Sequence, residues 1–389
     1  MENASAELEQ EIRSHARDFA ERELRPHASK WERDGALPRS VIDQLAELGF
    51  LGMLIPEEWD GLGLTTAAYL GAVEEISWGD PSVAVAMGVH NSLPTQMILS
   101  HGSDEQKERW LKPMARGELL GAFALSEPEA GSDAGALAAQ ATRVDGGWLL
   151  NGAKAWITNG SFADVAICMC RTDSPLERTG SKGIGAFIIP TNATGWVVGK
   201  KEEKMGQRAS ETVPVSLEEL FVPDDQLLGD PSLGLTYALQ GLDGGRLGIA
   251  ALAVGIASAA LQHSVAYALQ REQFGKPIAE FEGMRFKLAD MATRTEAARS
   301  LLRNAATAKD AGRPSGALAS MAKLFASEAA MYVTTEAIQV FGGYGYMTEY
   351  PVEKLFRDAK VTEIYEGTSE IQRLLISRDL YASSAQTAG

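Results

Sequence analysis

The chain of 389 residues holds only two cysteines and five histidines, and its 36 Lys and Arg fall short of its 52 Asp and Glu, a net charge of −16. That deficit of cations argues against a nucleic-acid or anionic-membrane binder, because phosphate contacts need clustered Lys and Arg. No uninterrupted apolar run approaches the roughly 20 residues of a membrane span. The N-terminus, MENASAELEQEIRSHARDF, is polar and acidic from its second residue, unlike a secretory signal. A soluble cytoplasmic protein is predicted. Cys168 and Cys170 stand two apart in the strand-like run DVAICMC. Such residues share a face but are too far apart for an unstrained disulfide, and no His, Asp or Glu stands beside them at metal spacing. They are expected to be packed thiols, with no metal site. Also missing are a G-x-x-x-x-G-K-[ST] loop, a strand-borne G-x-G-x-x-G and a G-x-S-x-G elbow. Gly342–Gly343–Tyr344–Gly345 is glycine-rich but follows a helix, which argues against a Rossmann nicotinamide site. The histidines (His15, His27, His90, His101, His263) do not cluster in sequence, so hydrolase and metalloenzyme readings lack local support.

The length is enough for two or three domains at roughly 150 residues each. A compact chain of this mass should expose about 15,000 Å². With 45% apolar and 23% charged residues the composition is that of a globular protein. The first 120 or so residues read as helical. Leu8, Ile12, Phe19 and Leu24 recur at near-helical spacing, Val41, Ile42, Leu45 and Leu48 form a face closed by Gly49, Asp80–Pro81 makes an N-cap, and Ser103 with Gln106 a capping box. Short β-rich runs follow, GAFALS, WLLNG, DVAICMC, GIGAFIIP and TVPVSLEELFVP, with turn signals at Asp145–Gly146–Gly147 and Asn159–Gly160. Beyond Pro231, long Ala-rich helices are predicted at 234–270, 281–311 and 315–341, with breaks at Gly275–Lys276–Pro277 and Gly312–Arg313–Pro314 and a last helix after Gly367. The fold class is α+β: an N-terminal helical domain (1–121), a middle antiparallel β domain (122–231) and a C-terminal four-helix bundle (232–389).

Seven segments carry a resemblance: IPEEWDGLG (55–63), FALSEPEAGSDAG (123–135), NGAKAWITNG (151–160), LDGGR (242–246), REQFGKPI (271–278), QVFGGYGYMTEYPVEKLFRDAK (339–360) and IYEGTSEIQR (364–373). In this order the chain resembles the acyl-CoA dehydrogenase flavoproteins over nearly its whole length, most closely the short-chain and short branched-chain members. The resemblance implies bound FAD, α,β-dehydrogenation of an acyl-CoA to the trans-2-enoyl-CoA, and electron delivery to electron-transfer flavoprotein. It also implies a homotetramer built as a dimer of dimers. Such chemistry needs a carboxylate to take the α-proton, a hydride acceptor on the other side, and donors for the developing enolate.

By the resemblance, the base falls on Glu366. Some members instead carry it immediately before the arginine of the LDGGR-type motif, which here is Gly245. Gly367 leaves room for a thioester, and Ser369 with Gln372 reads as a capping box opening the last helix. A helix N-terminus favours the carboxylate while desolvation raises its pKa, which together would poise it near neutrality. Asp243, Arg246, Ser132 and Gly367 match substrate contacts. Phe123, Leu125, Ser126, Gly131, Ser132, Trp156, Ile157 and Thr158 match flavin contacts. Arg271, Phe274, Gln339, Val340, Gly342, Gly343, Thr368 and Glu370 complete the FAD set, with Arg271 and Phe274 reaching the cofactor of a neighbouring subunit. Two positions depart from the pattern: Glu129, usually glycine, and Glu282, commonly glutamine. Within enzymes, the alternatives are the same reaction on a carrier-protein thioester, or an oxidase. The DNA-associated branch of the family is the distant one, disfavoured by the net charge and by the lack of a basic C-terminal extension.

Overall fold

The computed structural model describes residues 2–174 and 180–387. The chain begins helical: α1 (Glu2–Phe19), α2 (Ala28–Asp34), α3 (Arg39–Glu47), α4 (Thr66–Gly79), α5 (Pro81–Ser92) and α6 (Pro94–His101). Then α7 (Asp104–Gln106) runs through a π turn into α8 (Lys112–Ala115). α4 and α5 are almost wholly buried; the buried Glu74 and Glu75 of α4 are met by Arg13, Arg17 and Arg299. The expected caps form. Asp80 accepts from the Ser82 and Val83 amides at 2.8 and 3.3 Å ahead of Pro81. Ser103 and Gln106 make both bonds of a capping box. Gln106 then docks this domain on the next by donating to the Asp225 and Leu227 carbonyls, each at 2.8 Å.

Eight strands form one sheet: β1 (Gly121–Ala124), β2 (Gln140–Val144), β3 (Gly147–Thr158), β4 (Val165–Arg171), β5 (Ile184–Pro190), β6 (Trp196–Val198), β7 (Thr212–Pro223) and β8 (Leu227–Leu228). The order is β6-β7-β3-β2-β4-β5-β8, with β1 alongside β4. Most pairs are antiparallel as expected, but β1 runs parallel to β4, and β2 touches β4 in parallel through Gln140 and Arg171. The Asp145–Gly146 turn joins β2 to β3, with Gly146 at φ +72°. Asn159–Gly160 ends β3 without making a hairpin, because β3 pairs with β2 and β7. Instead the buried Asn159 donates to the Ala86 carbonyl of α5 at 3.0 Å, tying sheet to helices. β4 is buried on both faces. Val165, Ile167 and Met169 join a core containing Trp110, Leu111 and Leu235, while Ala166, Cys168 and Cys170 join one with Trp148, Leu150 and Val213. The two thiols are free and buried with sulfurs 3.9 Å apart.

The chain is helical again from α9 (Gly234–Gln270) through α10 (Glu282–Asp310), α11 (Gly316–Phe341), α12 (Pro351–Lys360) and α13 (Ser369–Thr387). A two-stranded hairpin, β9 (Glu272–Gln273) with β10 (Lys276–Pro277), interrupts the helices after α9. By length and composition α9 is long and apolar enough to cross a membrane, which a search for uninterrupted runs misses because Ser258, Gln262 and His263 break it up. Of its most apolar window, 67% is buried inside the fold, so that surface is taken up by packing. Alanines of α9, α10 and α11 fill the shared core and let the three helices approach closely.

Candidate active site

Glu366 and Gly367 both hold left-handed backbone, φ +55° and +89°. A Cβ on Gly367 would lie 2.8 Å from Gln372 Nε2. The fully buried Gln372 amide donates to the Glu366 carbonyl at 3.2 Å and the Gly367 carbonyl at 2.9 Å, and Lys323 Nζ donates to Gly367 at 2.7 Å. The cap differs from the expected Ser369–Gln372 box. α13 starts at Ser369, so Thr368 is the last non-helical residue, and its hydroxyl accepts from the Ile371 amide at 3.4 Å. Gln372 spends its side chain on the loop instead.

This loop throws Glu366 against α9. A Cβ added to Gly245 would lie 2.5 Å from Glu366 Oε2. That oxygen is buried and has no hydrogen-bond partner. Burial drives the Glu366 pKa up to about 7, against the opposing pull of the Arg246 and Lys323 cations. Burial likewise brings Lys323 down to about 8, although Glu366 would raise it. The carboxyl is therefore near half-ionised at neutral pH, the condition for a general base. Tyr365, beneath it, accepts from Gln207 Nε2 at 3.2 Å. Asp243 and Arg246 form an ion pair, and Arg246, 8% exposed, keeps a buried Nε without a partner. They lie in the third and fourth turns of α9, not at its start.

The residues expected around the flavin ring sit in the β domain. Phe123 is the penultimate residue of β1, and Leu125 and Ser126 follow the strand, with the Ser126 carbonyl accepting from the Ala155 amide at 2.9 Å. Gly131 and Ser132 are exposed on the next loop. Trp156 stands at a register shift of β3 with φ +58° and 58% exposed, an apolar ring held in strained backbone and facing outward. Ile157 turns into the sheet core at 1% exposed, which leaves only its backbone for a cofactor. Thr158 is half-buried and pairs with Thr212. Glu370 is exposed, its carboxylate pKa lowered by its own backbone N–H and the Thr368 hydroxyl.

The remaining set lies elsewhere. Arg271 caps the end of α9 and Phe274 sits in the turn of the β9–β10 hairpin, at φ +53° and 94% exposed. Gln339 and Val340 end α11, Gln339 outward and Val340 buried. Gly342 and Gly343 have open space where a Cβ would go, and the Arg271 guanidinium lies 5.5 Å over the Tyr344 ring. Lys323, beside Glu366, is sixteen residues from Gln339 along α11, or about 24 Å. The structure thus splits the expected FAD residues between two places. Bare aromatic rings at Trp156 and Phe274, and unobstructed backbone at Gly342 and Gly343, fit a flat ring system and phosphates.

Two features were not read from the sequence. Lys323 is a lone lysine in the apolar stretch MAKLFAS of α11, and that isolation was the available signal. The buried pair Lys154–Glu127, at 2.7 Å, anchors the loop carrying Ser132, because Glu127 also accepts from the Ala138 and Ala139 amides at 2.6 and 3.0 Å.

A helical–β–helical flavoprotein scaffold with a buried carboxylate over α9 is the class that these features define. Residues 6–118, 122–220 and 233–381 match the acyl-CoA dehydrogenase N-terminal, middle and C-terminal domains, and the chain belongs to the acyl-CoA dehydrogenase family. It is 47% identical over 377 residues to the mitochondrial short-chain specific acyl-CoA dehydrogenase of Rattus norvegicus, covering 97% of this chain and 91% of that one. Butyryl-CoA dehydrogenase from Megasphaera elsdenii superposes with TM-score 0.94 at 42% identity, over 96% of this chain and 98% of the other. A chain in a solved structure of the electron transferring flavoprotein of Acidaminococcus fermentans, studied for flavin-based electron bifurcation, also gives 0.94, at 43% identity and 96% and 98% coverage. The family's enzymes are FAD oxidoreductases acting on CH–CH groups, and acyl-CoA dehydrogenation is the activity of this chain.

Proposed function

We propose that the protein dehydrogenates a short or short branched-chain acyl-CoA to the trans-2-enoyl-CoA, with Glu366 as base and electron-transfer flavoprotein as acceptor. The observation that carries this reading is the buried, unpartnered Oε2 of Glu366, poised near neutrality where a side chain on Gly245 would otherwise lie. FAD, when bound, supplies the acceptor for the hydride leaving the β-carbon. The chain's own part is to take the α-proton onto Glu366, hold that carboxyl between Lys323 and Arg246, and exclude water. Asp243, Arg246, Ser132 and Gly367 would position the thioester. Trp156, the backbone of Ile157 and Thr158, and the Phe123–Ser132 stretch would hold the flavin ring, with Thr368 and Glu370 nearby.

Short-chain preference and the acceptor are supported by the rat and Megasphaera relatives and by the flavoprotein structure. A homotetramer, with Arg271, Phe274 and Gln339 to Gly343 serving a neighbour's FAD, is supported by surface as well. The single chain exposes 17210 Å², against about 15,000 Å² for a compact monomer of its mass. A soluble, cytoplasmic location is consistent with the two unbridged thiols. The test is direct: the purified protein should show a flavin spectrum that anaerobic butyryl-CoA bleaches. A protein that stays colourless after incubation with FAD would overturn the reading.

A further inference from the structure

The slot beside Glu366 has a definite far end. Gly248 follows Gly245 by three residues on α9, about 4.5 Å along the axis, and Gly88 faces it from α5. Apart from each glycine's own chain neighbours and helix backbone, a Cβ on either would meet one atom within 4 Å. That atom is the Tyr69 hydroxyl, 3.6 Å from Gly248 and 3.8 Å from Gly88. Tyr69 is 1% exposed, and its hydroxyl makes no well-formed hydrogen bond. The neighbouring Ser92 hydroxyl donates its own proton to the Gly88 carbonyl at 2.7 Å. Burial, reinforced by the charge of Glu366, pushes the phenol pKa up, so the ring stays a neutral phenol. The same tyrosine lines a cavity of about 220 Å³, together with Thr66, Gln96, Met97, Gly244 and Lys309.

We propose that Tyr69 sets the acyl-chain length: its hydroxyl floors the slot between Gly88 and Gly248 one helical turn beyond the base, and its ring closes that slot off from the cavity behind it. The inference rests on the acyl-CoA reading above. Two glycines, lacking side chains, leave the slot open enough for an alkyl chain, and a large planar residue, not a movable aliphatic one, ends it. A butyryl group stops short of the floor; an octanoyl group runs into it. The half-polar cavity behind, with its glutamine and lysine, is no part of the native acyl path.

The experiment measures kcat/KM of the holoenzyme for butyryl-, hexanoyl- and octanoyl-CoA. Tyr69→Ala joins slot to cavity and should raise the octanoyl-to-butyryl ratio about tenfold or more, within the range that pocket methylenes discriminate. Tyr69→Phe, which removes the hydroxyl floor but keeps the ring, should deepen the slot by about one carbon: the hexanoyl-to-butyryl ratio should rise a few-fold while octanoyl-CoA stays excluded. Gly88→Ala adds a methyl at ordinary contact distance in a helix that prefers alanine, so it folds even if Tyr69→Ala does not. It should lower the hexanoyl-to-butyryl ratio several-fold. Wild-type ratios in Gly88→Ala and in any folded Tyr69→Ala overturn the role of Tyr69 alone. A wild type whose flavin no acyl-CoA bleaches overturns the parent reading and this one with it.

Discussion

The two ends of α11 make an instructive contrast. Near its start, Lys323 is fully buried and reaches Gly367, and everything around Glu366 is supplied by one chain: a glycine to rest on, two cations, and a glutamine that fixes the loop. Near its end, Gln339, Gly342, Gly343 and the hairpin residue Phe274 lie open, with Phe274 94% exposed. In the proposed tetramer, that bare ring is where a neighbouring subunit's cofactor would sit. The groups proposed for proton transfer thus come from a single chain. The cofactor half is shared, on the proposal made above.

The sharpest way to test that division is to damage each end separately. Glu366→Gln should bind FAD and butyryl-CoA as the wild type does, yet reduce its flavin about 10⁴-fold more slowly, at the upper end for loss of a general base. Stopped-flow absorbance under anaerobic conditions reads this, and a wild-type rate would place the base elsewhere. At the other end, Arg271→Ala combined with Phe274→Ser should weaken FAD binding about a hundredfold, or about 3 kcal/mol, and loosen the tetramer. Light scattering on the wild-type holoprotein sets the reference, and a flavin-saturated monomer there would refute the shared site.

Smaller effects refine the protomer half. Gly245→Ala pushes a methyl into the space of the Glu366 carboxylate, the flexible end of a side chain, so stability should barely change while kcat falls about tenfold. Moving the acid, with Gly245→Glu and Glu366→Gly together, should restore only part of the activity, because geometry governs proton transfer. Lys323→Met removes a cation that favours the charged form of Glu366. The wild-type rate should rise with pH through about 7, where the base ionises, and in the variant that midpoint should move up by about one unit. The same raised carboxyl binds its proton more tightly folded than unfolded. Its contribution to stability is therefore present below its ordinary pKa of 4.5 and lost as pH rises through about 7. Urea midpoints across that window check the sign.

Much of the fold was legible because strong local signals agree with it. The breakers Gly275–Lys276–Pro277 and Gly312–Arg313–Pro314 put the long helices at 281–311 and 315–341, within a residue of α10 and α11. Asp80 and Ser103 cap as their neighbours dictate. Long-range choices were not legible: that β1 lies parallel to β4, or that Asn159 reaches α5 instead of closing a hairpin, depends on partners far along the chain. Nor did the short α12 stand out amid a motif read for its glycines. For the site, the motif around Glu366 named a base, but only the fold shows Gly245 beneath it and Lys323 beside it. Tyr69 carried no signal at all, since a tyrosine in an apolar helix reads as core.

Glu366 holds left-handed backbone, where a residue with a Cβ costs about 1–2 kcal/mol. It also buries a carboxylate oxygen that no group among the described residues satisfies. On both counts glycine is the residue that the scaffold itself would favour at this position. Folding and chemistry therefore pull in opposite directions at one residue. A Glu366→Gly enzyme should melt at a higher temperature than the parent and catalyse nothing, and the distance between those two proteins measures how far selection for turnover has held this loop from its own energetic minimum.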